Sequence, residues 1–260
     1  MVKIGVVLTA ACLLFAFSPM TSLAEEAAQE TALKVAAING KTLVKIYPAT
    51  TWTDLTLGQV VHLKDTIKTD LCDLHSKGEK FVDEKGNVCK LCGSVTLELP
   101  DKSSVSLKPG SEMTIDELVM DNAARKLKVN LSKGDLRMII TKVNTPSDFS
   151  VKTPNAVYGA TGTTFYVNVT ATGTSVYVAD GSIVVVNPIT GATYTVVAGS
   201  VMTFNPDGTV VGPAPATDID VSNWTAYYAD PIAEPYTPPL VNQNNLNPPE
   251  NTLEQGVSGG

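Results

Sequence analysis

FYVNVTATGTSVYVADGSIVVV, residues 165 to 186, sets the grammar of the whole chain. Phe165, Val167 and Val169 alternate with Tyr166 and Asn168, so the apolar three share one face of an extended segment. The alternation stops before Gly173 and resumes at Val176-Tyr177-Val178. Ile183 to Val186 follows across Asp180-Gly181. Apolar residues at a period of two, bounded by turn-forming residues, mark β-strands and hairpins.

The same pattern runs outward in both directions. Toward the C-terminus, Tyr194 to Val197 and Val201 to Phe204 flank Ala198-Gly199-Ser200. Toward the N-terminus, Leu127 to Leu131 alternates before Lys133-Gly134-Asp135, and Leu136 to Val143 follows. Val95 to Leu99 turns at Pro100-Asp101 and resumes at Val105 to Leu107. Leu33 to Ile38 meets Asn39-Gly40, a strong hairpin signal because both turn positions need positive φ, and Lys41 to Tyr47 follows. Turn glycines at 110, 134, 159, 181 and 199 lie 18 to 25 residues apart, room for two strands in each interval. Only Ile115 to Ala124 hints at a helical period. The fold class expected is all-β, a sandwich or a short solenoid-like stack of β-hairpins over residues 33–211. A domain of that size buries roughly 70% of its unfolded surface and needs no staples.

The two ends differ from this middle. Lys3, an apolar run from Ile4 to Phe17, and the small residues Ser22-Leu23-Ala24 have the layout of a secretory signal peptide, expected as residues 1–24 with cleavage after Ala24. The run is short for a membrane anchor, and Cys12 sits too early in it for lipid attachment. No other apolar segment is long enough to span a bilayer, so no transmembrane segment is expected in the mature chain. Residues 212–260 hold eight of the 16 prolines together with Asn-rich runs, and are expected as an irregular tail dispensable for folding. Trp224, Tyr227, Tyr228 and Tyr236 stand out there. Docking onto the domain is favoured for them over service as a partner-binding peptide.

Charge is unevenly spread. From Glu25 to Lys152 there are 18 basic and 18 acidic residues. After Lys152 there is no Lys or Arg, against 8 acidic residues. Nucleic acid needs a basic face and an anionic lipid surface a basic cluster, so neither is an expected partner.

Several motifs, in order, resemble the FecR domain family. Leu57-Gly58-Gln59-Val60-Val61 to Asp65-Thr66-Ile67-Lys68-Thr69 is similar to its opening strand pair. Val95 to Leu107 resembles the next motif, and Leu131-Ser132-Lys133-Gly134-Asp135-Leu136 its "Leu-x-x-Gly-x-Leu" step. Phe149-Ser150-Val151-Lys152-Thr153-Pro154-Asn155-Ala156, with Gly162-Thr163-Thr164-Phe165-Tyr166-Val167 after it, is the most specific match. Val176 to Ile183 and Val197-Ala198-Gly199 continue it, so the resemblance covers about residues 40 to 205. Gly159-Ala160-Thr161-Gly162 is no phosphate loop, because a third Gly and a following helix are missing. The best known members of the family are inner-membrane transducers. Their periplasmic β-domain senses an outer-membrane iron-siderophore transporter, and a cytoplasmic segment restrains a sigma factor. Here a leader stands where that segment would be, which resembles the stand-alone exported form.

Cys72, His75, Cys89 and Cys92 form a Cys-x2-His and a Cys-x2-Cys pair, with 13 residues between His75 and Cys89. They lie in an apparent insertion, residues 70–93, since the FecR pattern runs straight from Thr69-Asp70 to Gly93-Ser94-Val95. Two short-spaced pairs on a hairpin arm suit one tetrahedral, structural metal, zinc or iron, and Gly93 would let backbone N–H groups face the thiolates. A disulfide is the alternative, because exported proteins usually pair their cysteines. Three cysteines leave one over, which favours the metal. Haem attachment fails because Gly93, not His, follows Cys92. His62 reads as a plain strand residue.

No nucleophile elbow, carboxylate motif or cofactor fingerprint occurs, so no catalysis and no bound cofactor beyond zinc are expected. Two functions remain. One is a sensory or binding module of the cell envelope, exported to the periplasm, cell surface or medium, whose partner is an envelope protein or surface polymer. The other is a structural component of a secreted matrix or appendage.

Overall fold

A computed structural model describes residues 32–71, 93–121, 123–226 and 228. The expected leader, the four candidate metal ligands and most of the tail lie outside the described residues.

Every alternating run becomes a strand. In chain order these are β1 (Leu33–Asn39), β2 (Thr42–Lys45), β3 (Thr53–Asp54), β4 (Val60–Val61), β5 (Thr66–Thr69), β6 (Ser94–Glu98), β7 (Ser104–Leu107), β8 (Glu112–Met120) and β9 (Arg125–Ile139). Then follow β10 (Ser147–Lys152), β11 (Val157–Ala160), β12 (Thr164–Thr170), β13 (Gly173–Asp180), β14 (Ser182–Val186), β15 (Thr193–Val197), β16 (Ser200–Phe204) and β17 (Val210–Pro215). A helix, α1 (Asp218–Thr225), closes the described chain. The architecture is all-β. Ile115 to Ala124, the one stretch with a helical hint, contributes most of its length to strand β8.

The strands form two layers that share β9. Sheet A runs β4-β1-β6-β7-β9-β12-β13-β16-β17. Sheet B runs β3-β2-β5-β8-β9-β10-β11-β14-β15. All neighbours are antiparallel except β9 and β10, which pair in parallel with Val151 beside Val129. Later strands stack outward on earlier ones in both layers. Between the layers lies one core, with Leu97, Leu107, Leu136, Phe165, Val176 and Phe204 from sheet A against Ile67, Ile115, Leu127, Phe149, Tyr158 and Val185 from sheet B. Tyr158 meets Phe204 edge-on across the core, ring centroids 6.0 Å apart.

Several glycines read as hairpin turns have another role. At Asn39-Gly40 the chain does not fold back, because β1 pairs in sheet A and β2 in sheet B. Gly181 likewise joins sheet A to sheet B, and Gly199 joins sheet B to sheet A. Gly110 and Gly162 sit between β7 and β8 and between β11 and β12, which also lie in different layers. Gly134 lies inside β9, a 15-residue strand whose first part pairs in sheet B and whose last part pairs in sheet A. A left-handed residue turns the strand direction sharply enough to carry the chain across the core, and alternation along the sequence is the same whether the next strand is beside or opposite. True hairpins join β2 to β3, β6 to β7, β8 to β9, β10 to β11, β12 to β13, β14 to β15 and β16 to β17.

The stretch expected as an irregular tail begins with order. β17 continues to Pro215, and Thr217 caps α1: its hydroxyl accepts from Asp220 N–H at 3.2 Å, while the Asp220 carboxylate accepts from Thr217 N–H at 2.9 Å. Thr217-x-x-Asp220 is a capping-box sequence that announces such a helix.

Candidate functional site

The outward face of sheet A carries two rows of side chains fixed by strand register. Thr96, Ser106, Arg137, Tyr166, Tyr177 and Val201 lie side by side across six strands. One step along, Asp135, Asn168, Ser175 and Thr203 form a second row. Neighbours in the rows bond to each other. Thr96 Oγ1 donates to Ser106 Oγ at 2.8 Å, Arg137 donates to Ser106 Oγ at 3.1 Å, and Asn168 Nδ2 donates to Asp135 Oδ1 at 3.0 Å. Tyr166 and Tyr177 stack at 5.7 Å, and each is only 6% exposed.

This face holds the chain's own C-terminal aromatics. Trp224 of α1 stacks on Tyr177, centroids 6.3 Å apart. Tyr228 tilts over Tyr166 at 5.8 Å, with Lys108 Nζ 5.0 Å and Arg137 Cζ 4.8 Å from its ring centre. Lys108 also donates to the Asn223 carbonyl at 2.7 Å, which ties the helix to the sheet. An aromatic face attracts cations through its quadrupole, and a partly desolvated pair is worth about 2 kcal/mol. The result is a cradle with an aromatic floor, two cationic walls and an aromatic guest.

Electrostatics follow from burial. Desolvation raises the Asp135 carboxyl above the usual carboxylate range, against the opposing pull of Lys108 and the Asn168 bond. Burial raises the Tyr166 phenol, and burial followed by the Asp135 charge raises the Tyr228 phenol further. Both phenols therefore stay protonated at neutral pH, as stacking and hydrogen-bonding groups. The Tyr228 hydroxyl and Arg137 Nε are buried with no hydrogen-bond partner among the described residues.

Cys72, His75, Cys89 and Cys92 lie outside the described residues. Among the described residues no group of His, Cys, Asp and Glu is placed to hold a metal. The flanks of that segment meet, since Gly93 N–H donates to the Asp70 carbonyl at 3.0 Å and Asp70 N–H donates to the Lys41 carbonyl at 2.9 Å. The Gly93 amide is thus engaged by Asp70 rather than free for a thiolate. Gly93 is a glycine because a β-carbon there would run into the Lys41 carbonyl and lie 2.6 Å from Asp70 N. His62 stands just past β4, exposed, with its N–H on the buried Asp65 carboxylate at 2.9 Å. Asp65 also accepts from Tyr47 N–H at 2.9 Å and so staples two loops.

The rows on sheet A are visible only in cross-strand register, which no single strand announces. Trp224 and Tyr228 were the legible half of the site, and Tyr227 and Tyr236 lie outside the described residues. Among the described residues no helix is long and apolar enough to cross a membrane.

In comparison with known proteins, residues 92–184 match the FecR protein family. No curated protein matches the chain. Two crystal structures of a candidate anti-sigma factor from Parabacteroides distasonis ATCC 8503 are similar in part. The one at 1.65 Å has 19% identity over 50% of this chain, with a TM-score of 0.42. The one at 2.50 Å has 18% identity over 49%, with a TM-score of 0.40. The chain spans 59% of the length of either. Lys108, Asp135, Arg137, Tyr166, Asn168 and Tyr177, the sheet side of the cradle, all fall within residues 92–184, the stretch that matches the FecR protein family.

Proposed function

We propose that this chain is an exported, non-catalytic envelope protein whose FecR domain is a binding or sensory module, and that the outward face of sheet A is its recognition surface. The observation that carries the reading is the cradle itself, a flat aromatic and cationic face that already grips a short aromatic segment. Stacking and cation–π contacts recognise such a segment at low ordering cost because aromatic side chains are stiff. A partner protein of the envelope that presents an aromatic segment is the ligand class this chemistry suits, and the parallel with siderophore signalling rests on the FecR match. The test is pulldown from envelope extract with the parent chain and with Arg137→Ala and Tyr166→Ala. A captured protein that both variants lose supports the surface. Equal capture by all three would place recognition elsewhere. N-terminal sequencing of exported material tests the leader, with Glu25 as the expected first residue.

The structural alternative, a matrix or appendage component, draws on the Thr/Val-rich rear of the chain, which has no Lys or Arg after Lys152, and on its Pro/Asn-rich tail. Neighbouring sigma-factor and transporter genes would favour the sensory reading, and secretion or appendage genes the structural one.

Cys72, His75, Cys89 and Cys92 are proposed to bind one structural zinc ion. The support is ligand spacing and the odd thiol count. Metal analysis beside thiol counting, on protein purified without reductant, decides it. One zinc per chain supports the site, whereas no metal and a single free thiol among Cys72, Cys89 and Cys92 would mean a disulfide.

A further inference from the structure

Among the described residues the two layered sheets have four edges, and three of them are blunted. β3 and β4, the first edges of sheets B and A, are two residues long. β17 ends sheet A, and its phase is set by Ala216 N–H donating to the Gly199 carbonyl. That phase turns Pro215 outward, where it has no N–H to offer, and Pro213 falls in the register shift between Val211 and Ala214. Among the described residues, β15 ends sheet B without such protection. Asn187 N–H donates to the Ala192 carbonyl and Ala198 N–H to the Gly181 carbonyl, which fixes the phase at both ends. Tyr194 and Val196 therefore bond to β14, while Thr193, Thr195 and Val197 present N–H and C=O groups to the open side.

Side chains around this edge are as unguarded as its backbone. Thr193, Thr195 and Val197 are exposed, Val197 at 54%, and exposed Val186 and Val184 lie across from Thr193 and Thr195 on the same face. Residues 181 to 206 contain no Asp, Glu, Lys, Arg or His. The middle of sheet B is instead laced with charge, with Lys128 of β9 bonded to Glu117 of β8 at 2.9 Å and to Asp148 of β10 at 3.0 Å.

We propose that β15 is an assembly edge, and that its occupant is β15 of a second copy of this chain, paired antiparallel about Thr195. Thr195 then faces its own counterpart, and Thr193 of each copy faces Val197 of the other. Every outward N–H and C=O of these three residues finds a partner in that register, and the arrangement closes by two-fold symmetry. Charge selects this occupant. An acidic or basic strand finds no counter-charge between residues 181 and 206, whereas two identical neutral strands meet without repulsion, and β-branched pairs favour the contact. The pairing joins the two copies of sheet B into one continuous layer.

The experiment is sedimentation of the purified chain over a concentration series, beside two edge variants. Thr195→Pro removes the central outward N–H at a position where an edge strand tolerates proline. Thr195→Lys places a charge on each side of the two-fold axis. The parent is expected to double in mass with concentration, and both variants to stay monomeric with the parent's far-UV spectrum and melting temperature. If Thr195→Pro fails to fold, Thr195→Lys alone decides. A parent that stays monomeric throughout, or a dimer that both variants retain, overturns the proposal. So does a monomer that takes up a neutral strand peptide, because the edge would then serve a foreign strand.

Discussion

At Gly134 the φ angle is +84°, and an added β-carbon would lie 2.5 Å from Ser111 Cα. The residue is where β9 leaves one layer for the other, and Ser111 crosses the corner with its hydroxyl donating to the Asp135 carbonyl at 3.0 Å. Gly134→Ala is expected to cost on the order of 3 kcal/mol from backbone strain and crowding together, read as a shift in the denaturant midpoint. A shift under a third of that would mean the corner relaxes freely. One residue on, Asp135 has a carboxyl raised mainly by burial. Stability from such a group is complete below the ordinary carboxylate value and is lost as pH rises through the raised one. Asp135→Asn should therefore melt higher than the parent at neutral pH, and the gain should shrink as pH falls toward about 4, the ordinary carboxylate value. Thermal scans at both pH values check this. A variant that melts lower at neutral pH would show that Lys108 and Asn168 outweigh the burial. The glycine itself was legible as a turn residue. Its task as a layer crossing was not, because that depends on which strands lie across the core.

Among elements, β9 and α1 carry the architecture and the site. β9 is a neighbour of β8 and β10 in one sheet and of β7 and β12 in the other. The alternation of Leu127 to Leu131 and of Leu136 onward was plain in the sequence, but a strand shared by two sheets looks the same as two strands and a turn. α1 is short and weakly amphipathic in sequence, and it is held from outside by Trp224 on Tyr177 and by Lys108 on the Asn223 carbonyl. These contacts alter the expectation that the chain beyond Gly212 is dispensable. Truncation after Gly212 removes half of β17, all of α1 and both docked aromatics. Burial of two large side chains, each partly covered, is worth about 2 kcal/mol, which lowers the melting temperature by about 4–8 °C in a domain of this size. Trp224→Ala in the full chain should reproduce part of the drop. An unchanged melting temperature after truncation would mean the aromatics rest on the sheet without stabilising it.

Across the whole molecule, one core joins both layers from Leu33 to Phe204, and the shared strand leaves no seam between the ends. Unfolding is expected as a single transition. The two tryptophans test this from opposite ends, since Trp52 lies 5.0 Å from Lys45 beside the first strands and Trp224 lies on the last described helix. Far-UV circular dichroism and tryptophan fluorescence should share one denaturant midpoint. Separate midpoints would divide the chain into independently folding ends. The sequence by itself determined the β class, the strand positions, the inward face of each strand and the FecR resemblance. The first three follow from period-two alternation and local turn chemistry, which act over a few residues, and the last from the order of the motifs that resemble the family. Which strands are neighbours, which glycines cross between layers, and the rows that make the cradle on sheet A were decided only in the tertiary structure. Arg137, Tyr166 and Tyr177 are tens of residues apart or separated by a hairpin, and each is an ordinary outward-facing residue of its own strand. Only cross-strand register brings them together beneath Trp224 and Tyr228, and register is a property of paired strands rather than of any one of them.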